Sequence, residues 1–135
     1  MLEGIVDLVN TDPWLQRKGR FVNTSLMVEL ADDAAPERYR LVIAAGRLTT
    51  VAREAPGTAR FIMPQYELRL IAPRAAWLEY WKPLPRAGFH DLFALRKKRL
   101  IEIEGNLQPF MANLFYFKGL LEAPRRLTVT GLPHA

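Results

Sequence analysis

Hydrophobic positions change their period along the chain, and each change marks an element. Leu2, Ile5, Val6 and Val9 stand at i, i+3, i+4 and i+7, one stripe of an amphipathic helix. Thr11-Asp12-Pro13 then reads as a new helix start. Asp12 can accept from free backbone N–H groups, and Pro13 sits where its missing N–H costs nothing. This short helix carries Trp14 and Leu15 and ends at Gly19. From Arg20 the period becomes two. Leu26, Val28 and Leu30 share one face, with Ser25, Met27 and Glu29 on the other. After a loop over 31–36, Tyr39, Leu41 and Ile43 alternate against Arg38, Arg40 and Val42, as in an antiparallel hairpin with one wet face. Gly46 marks the next turn, and β-branched residues in 48–52 make a third strand. The pattern breaks at Ala55-Pro56-Gly57-Thr58. Pro64 belongs at the beginning or edge of a fourth strand, in which Tyr66, Leu68 and Leu70 point inward and Glu67 and Arg69 outward. Pro73 ends that strand and suits the first turn of a helix over 74–81.

A second short helical segment ends in Arg96-Lys97-Lys98-Arg99, and a fifth strand runs to Gly105. Five one-sided strands with helices at both ends of the chain predict an α+β fold: a mostly antiparallel five-stranded sheet with helices packed on one face. Its apolar face should hold Leu26, Val28, Leu41, Ile43, Leu68 and Leu70, because a one-residue slip would turn them all to water. No repeat, low-complexity stretch or linker divides the chain, so residues 1–135 read as one domain.

The last helix, predicted over 107–121, carries an apolar excess. Leu107, Phe110, Met111, Leu114, Phe115, Lys118 and Leu121 trace one broad stripe, widened by Tyr116, Phe117 and Leu120. Asn106 as N-cap puts Pro109 in the first turn, where it is tolerated. Covering the sheet accounts for part of this surface. The surplus of aromatics points to the wall or mouth of a cavity. Trp77 and Trp81, four apart on the preceding helix, give a second aromatic surface for the same space.

Composition narrows the function classes. Half the residues are hydrophobic and 24% are charged, ordinary for a globular protein. At 135 residues the chain can bury about two thirds of its unfolded surface. No apolar run reaches the roughly 20 residues a bilayer span needs, and no signal segment opens the chain. With no cysteine there is no disulfide, thiol nucleophile or thiolate metal site, which fits a reducing cytoplasm. The net charge of +5 favours anionic partners without choosing among them.

Catalytic chemistry finds little to stand on. Of the two histidines, His134 is next to last, and His90-Asp91 reads as a helix start with Asp91 complementing the dipole. Glu102 and Glu104 share a strand face, but two carboxylates without a histidine make a poor zinc site. The glycines form no phosphate-binding motif, and Gly105-Asn106 reads as a turn. No catalytic residue, metal or cofactor is expected. Arg96, Lys97, Lys98 and Arg99, with Lys82, Arg86, Arg125 and Arg126, could contact an anionic headgroup. Nucleic acid is disfavoured, because Tyr39 and Tyr66 fall on the apolar side of the sheet instead of being offered for stacking.

The order of elements from Tyr66 onward resembles the sterol carrier protein type 2 family. Its pieces are the fourth strand, a helix bearing Trp77, the short helix of Asp91-Leu92-Phe93-Ala94-Leu95, the strand end Ile103-Glu104-Gly105-Asn106, and the apolar helix from Phe110. The resemblance covers about residues 5–122, leaving 123–135 as a tail. It implies binding or transfer of a hydrophobic ligand (fatty acyl chain, acyl-CoA, isoprenoid or sterol) in an apolar tunnel, without catalysis. The expected lining is Trp77, Trp81, Phe93, Phe110, Met111, Leu114, Phe115, Leu41, Ile43 and Leu68. Transient contact with an anionic membrane surface and a partner enzyme also belong to this expectation. The alternatives are an accessory protein that docks on an enzyme acting on a hydrophobic substrate, or an enzyme using a carboxylate or His90 as base. Two departures stand out. Ala44-Ala45-Gly46-Arg47 replaces the family's Asp-Gly turn, and a proline-stiffened loop over 82–88 replaces its glycine-rich stretch.

Overall fold

The stripe at the start of the chain folds as its spacing requires. The computed structural model describes residues 2–32, 34, 36–54 and 68–129, the side chains of 54, 128 and 129 aside. A 3-10 turn over Leu2–Gly4 runs into α1 (Ile5–Asn10), and Leu2, Ile5 and Val9 are buried. Asp12 caps α2 (Pro13–Lys18), its carboxylate accepting from the backbone N–H of Trp14 at 2.9 Å and Leu15 at 3.2 Å. Gly19 ends α2 against the Tyr116 ring, which lies where a side chain would stand: a Cβ on Gly19 would come within 2.3 Å of it.

The sheet contains β1 (Thr24–Ala31), β2 (Glu37–Ala44), β3 (Arg47–Glu54), β4 (Leu68–Pro73) and β5 (Glu102–Gly105), in the order β3-β2-β1-β4-β5. Every neighbouring pair is antiparallel except β1 with β4, which is parallel. Leu26 is flanked by Leu41 and Leu68, and Val28 by Tyr39 and Leu70. These rows, with Leu30 and Ile43, form the buried face that the alternation predicts. The break over 55–58, Pro64, Tyr66 and Glu67 lie outside the described residues, as does His134.

The opposite face carries a ladder of charge. Glu29 pairs with Arg38 at 3.5 Å and accepts from Nη2 of Arg69 at 3.0 Å, and Arg69 reaches on to Glu104 at 3.2 Å. Met27 stands on this face yet is buried, contrary to a wholly wet side. Its cross-strand neighbours are Arg40 and Arg69, whose aliphatic stems are long enough to lie over it.

Pro73 leads from β4 into α3 (Arg74–Tyr80), and Asp91 caps α4 (Leu92–Lys97) by accepting from the Phe93 N–H at 2.8 Å. Asn106 caps α5 (Leu107–Ala112) through the Gln108 N–H. The single helix predicted over 107–121 is in fact broken. Asn113 separates α5 from α6 (Leu114–Glu122), and residues expected as tail form α7 (Pro124–Val129). The side chain of Asn113 donates to the Pro109 carbonyl at 2.9 Å, competing with the backbone ladder at that turn. The break redirects the stripe. Tyr116, Phe117 and Leu120 turn into the core beside Phe110 and Leu121, while Leu107, Met111 and Phe115 face solvent.

The β2–β3 turn shows what the missing Asp-Gly pair costs. Ala44 pairs with Arg47, leaving a two-residue turn in which Ala45 has φ 52° and Gly46 φ 79°. Two positive φ values define a type I′ hairpin, for which Asn-Gly is the preferred pair. Alanine carries a left-handed penalty of about 1 kcal/mol that asparagine reduces. Ala45→Asn should therefore stabilise the fold by a few tenths to about 1 kcal/mol, read as a higher denaturation midpoint at unchanged slope.

Candidate ligand site

Trp77 and Trp81 meet as their i, i+4 spacing predicts. The rings stack with centroids 5.1 Å apart and planes 24° apart, and Tyr80 packs edge-on to Trp77 at 5.9 Å. Both indole N–H groups are satisfied by backbone. Trp77 donates to the Glu29 carbonyl at 2.8 Å and Trp81 to the Leu121 carbonyl at 3.0 Å. The pair thus ties α3 to the centre of the sheet on one side and to the end of α6 on the other. Phe110 lies 5.3 Å from Phe117, which meets Tyr116 edge-on at 5.4 Å.

Among the side chains expected to line an internal space, Leu41, Ile43, Leu68, Trp77, Trp81 and Phe110 belong to one buried apolar cluster. Phe93 and Leu114 pack at its edge, partly buried. Met111 and Phe115 do not join it: they are 52% and 65% exposed. Phe115 lies on α6, beyond the Asn113 break, where the stripe of a continuous helix no longer holds, and Met111 lies on α5, before it. Leu107, Trp14 and Phe21 are exposed as well.

A polar cluster adjoins the apolar one where α4 begins and α6 ends. Asp91 accepts from the Lys118 ammonium at 2.8 Å, and that ammonium stands 5.4 Å from the Phe93 ring centroid. Arg125 donates to the Tyr80 carbonyl at 2.7 Å and the His90 carbonyl at 3.0 Å, pairs with Glu122 at 3.4 Å, and lies 4.7 Å over the Tyr80 ring. Burial pushes the Glu122 carboxyl above its ordinary range, and Arg125 offsets this only in part. Burial also pushes Asp91 upward, but Lys118 and the Phe93 N–H outweigh it and hold Asp91 below its usual value. Burial, with the Glu122 charge beside it, raises the Tyr80 phenol well above normal. His90 enters the cluster through its backbone carbonyl. Sequence reasoning finds Asp91 as a helix cap and names Arg125 only as a headgroup cation, whereas Arg125 is held within the fold by the Tyr80 and His90 carbonyls and by Glu122; Tyr80 and Glu122 are missed, because no local spacing announces contacts made across the fold.

Among the described residues no group of three or more histidine, aspartate or glutamate side chains could hold a metal ion. Arg96, Lys97, Lys98 and Arg99 are all exposed at the end of α4, with the Lys98 ammonium 5.8 Å from the Phe89 ring centroid. Two clefts flank α6. One, about 250 Å³, is lined by Asp12, Trp14, Leu15, Gly119, Glu122, Arg125 and Arg126. The other, about 160 Å³, lies between Lys18 and residues 112–116.

This architecture has counterparts among solved structures. A crystal structure of sterol carrier protein 2 superposes with a TM-score of 0.73 over 92% of this chain and 92% of that one, at 14% identity. The fold is that of sterol carrier protein 2. Sterol carrier protein 2 from Yarrowia lipolytica, in its apo form, matches with a TM-score of 0.55 at 12% identity, over 92% of this chain and 88% of that one. A protein described as UbiJ-SCP2, a ubiquinone synthesis protein, matches with a TM-score of 0.55 at 19% identity, over 91% of this chain and 94% of that one. Neither a protein-family model nor a curated protein sequence matches the chain. On the sterol carrier protein 2 fold, the elements that the sequence orders from β4 to α6 follow one another as the resemblance implies.

Proposed function

We propose that this chain binds a hydrophobic ligand, of the fatty acyl, acyl-CoA, isoprenoid or sterol class, and carries or presents it without performing chemistry on it. The observation that carries the reading is the sterol carrier protein 2 fold, matched over 92% of both chains. One local feature supports it. The helices bury their apolar faces in one cluster with the sheet, and Trp77, Trp81 and Phe110 belong to it. Among the described residues no helix is long and apolar enough to cross a membrane.

Binding of this kind is passive. Burying roughly 400 Å² of ligand at about 25 cal/mol per Å² gives on the order of 10 kcal/mol gross. Association costs of several kcal/mol leave roughly micromolar affinity, which permits both loading and release. Arg96, Lys97, Lys98 and Arg99 are the cations assigned to a ligand's anionic head, such as the phosphates of CoA.

The test is titration with a fatty acid, an acyl-CoA and a sterol, read by tryptophan emission in a Trp14→Phe background that leaves Trp77 and Trp81 as the reporters. A blue shift or quench that saturates near micromolar ligand is expected. Leu114→Glu should abolish it, since a lone charge is too costly to bury in an apolar site, while circular dichroism stays native. Neutralising the four cations should weaken acyl-CoA and leave sterol unchanged. No response to any class, and no molecule in an organic extract of the purified protein, would overturn the reading.

A second reading is presentation of a greasy substrate to a partner enzyme. It draws on the ubiquinone synthesis protein among the structural neighbours. A stable complex with an enzyme, formed by a protein that responds to no free lipid, would favour it.

A further inference from the structure

Tyr80 is a buried aromatic side chain whose polar atom has no partner. Among the described residues, the Tyr39 phenol donates to Glu37 at 2.9 Å and the Tyr116 phenol to the Gly46 carbonyl at 2.7 Å. Both buried indoles donate to backbone carbonyls. Tyr80 is as deeply buried, at 0% exposure, yet its hydroxyl makes no hydrogen bond. Folded proteins rarely leave such a donor unmet, because burial strips it of water with nothing in exchange.

The ring is held in place. It sits edge-on to Trp77 with centroids 5.9 Å apart, and the Arg125 guanidinium covers it at 4.7 Å. Arg125 is itself anchored on the Tyr80 and His90 carbonyls, at 2.7 Å and 3.0 Å. The same guanidinium lies 3.4 Å from the Glu122 carboxylate, so phenol and carboxylate share one cation, and the Glu122 charge acts on the phenol. A carboxylate carries about four lone-pair positions, and one ion pair leaves acceptor capacity over. A fixed donor thus stands beside an acceptor without bonding it. Glu122 and Arg125 also line the cleft of about 250 Å³, while Tyr80 belongs to the apolar cluster of Trp77, Trp81 and Phe110. The two groups lie where the apolar interior meets a polar opening.

We propose that Tyr80 and Glu122 read the hydroxyl group of a lipid alcohol, whose oxygen accepts from Tyr80 and whose hydrogen is donated to Glu122. The proposal rests on the ligand reading and narrows its class. An alcohol is donor and acceptor in one atom, so it satisfies both side chains together. A carboxylate head only accepts, and it would meet Glu122 as a like charge. The cations nearby are already engaged, Lys118 with Asp91 at 2.8 Å and Arg125 with Glu122 and two carbonyls.

The test is titration with dodecanol, dodecanoate and dodecane, with Trp77 and Trp81 reporting in the Trp14→Phe background. Tyr80→Phe deletes the hydroxyl and keeps the ring. It should weaken dodecanol about fivefold and leave dodecane unchanged. The unloaded variant should melt at an equal or higher temperature, since the atom removed is unpaired. Glu122→Gln should weaken dodecanol about threefold and strengthen dodecanoate by at least as much, because the like charge is gone. Unchanged dodecanol affinity in Tyr80→Phe, with the lipids still bound, would overturn the proposal and leave the ligand reading standing. So would a lower melting temperature for unloaded Tyr80→Phe, which would show that the hydroxyl has a partner within the fold. Equal losses for dodecanol and dodecane would do the same, marking a change of packing. Failure of every one of these lipids to bind would bring down the ligand reading and this proposal together.

Discussion

Trp77→Ala should destabilise the domain by about 3–5 kcal/mol, the largest single loss expected in this chain. Three contributions add. The indole is fully buried, so its removal leaves a large void under α3. Trp81 loses the ring stacked on it at 5.1 Å. The Glu29 carbonyl, in the middle of β1, loses the donor that reaches it at 2.8 Å. Against a total stability of about 5–15 kcal/mol for a typical domain, such a loss is a fifth or more. Trp77→Phe separates the parts: it keeps much of the packing and removes the N–H, so it should cost about 1–3 kcal/mol. Urea denaturation with unchanged slope and a lower midpoint would report both. A loss below about 1 kcal/mol for the alanine variant would show that the ring edges open space instead of packing into a closed core.

The second large effect falls at Gly46. Gly46→Ala should cost about 2–5 kcal/mol, combining left-handed backbone strain with an overlap that cannot relax. Its φ of 79° is one reason, and a Cβ there would stand 2.6 Å from the Gly19 carbonyl oxygen, a backbone atom. The Gly46 carbonyl also accepts from the Tyr116 hydroxyl at 2.7 Å and from Gln16 at 3.1 Å, and its N–H donates to the Val22 carbonyl at 3.1 Å. Displacing the turn therefore disturbs the end of α2 and the start of α6 together. A fall of about 10 °C in the thermal midpoint is expected, opposite in sign to the rise from Ala45→Asn one residue earlier. Two adjacent substitutions with opposite signs would show that the left-handed backbone of the turn is the limiting feature at Ala45 and that Gly46 has no room for a side chain.

Much of the sheet was legible because burial on a strand is periodic. Leu26, Val28, Leu41, Ile43, Leu68 and Leu70 alternate with polar neighbours and are all buried. Helix starts were legible for a chemical reason: Asp12, Asp91 and Asn106 each carry an oxygen that accepts a free N–H. What periodicity does not carry is which strand edges meet. Nothing in the pattern of β1 or β4 distinguishes a parallel neighbour from an antiparallel one. The break at Asn113 was hidden for a related reason. At Asn113 the side chain bonds the Pro109 carbonyl, a local contact that the hydrophobic period does not register, and Met111 and Phe115 on either side of it are exposed. In the Tyr80–Glu122–Arg125 cluster the Glu122–Arg125 pair is local, three residues apart, and what was hidden is the long-range bond that brings Arg125 to the Tyr80 carbonyl.

The same tertiary joints set the timetable on which this chain can fold as it leaves the ribosome. The first hairpins can form early, but β1 waits for β4 beside it, α2 waits for Tyr116 of α6, and Asp12 waits for Arg126 of α7. At roughly 5–20 residues per second, several seconds pass between synthesis of β3 and of α6. Throughout that interval the apolar face of β1, β2 and β3 has no helix from the C-terminal part of the chain to cover it. Contacts so distant in sequence also slow the final collapse, since loop closure precedes any reward from packing. The native structure of this chain is thus a late event in synthesis.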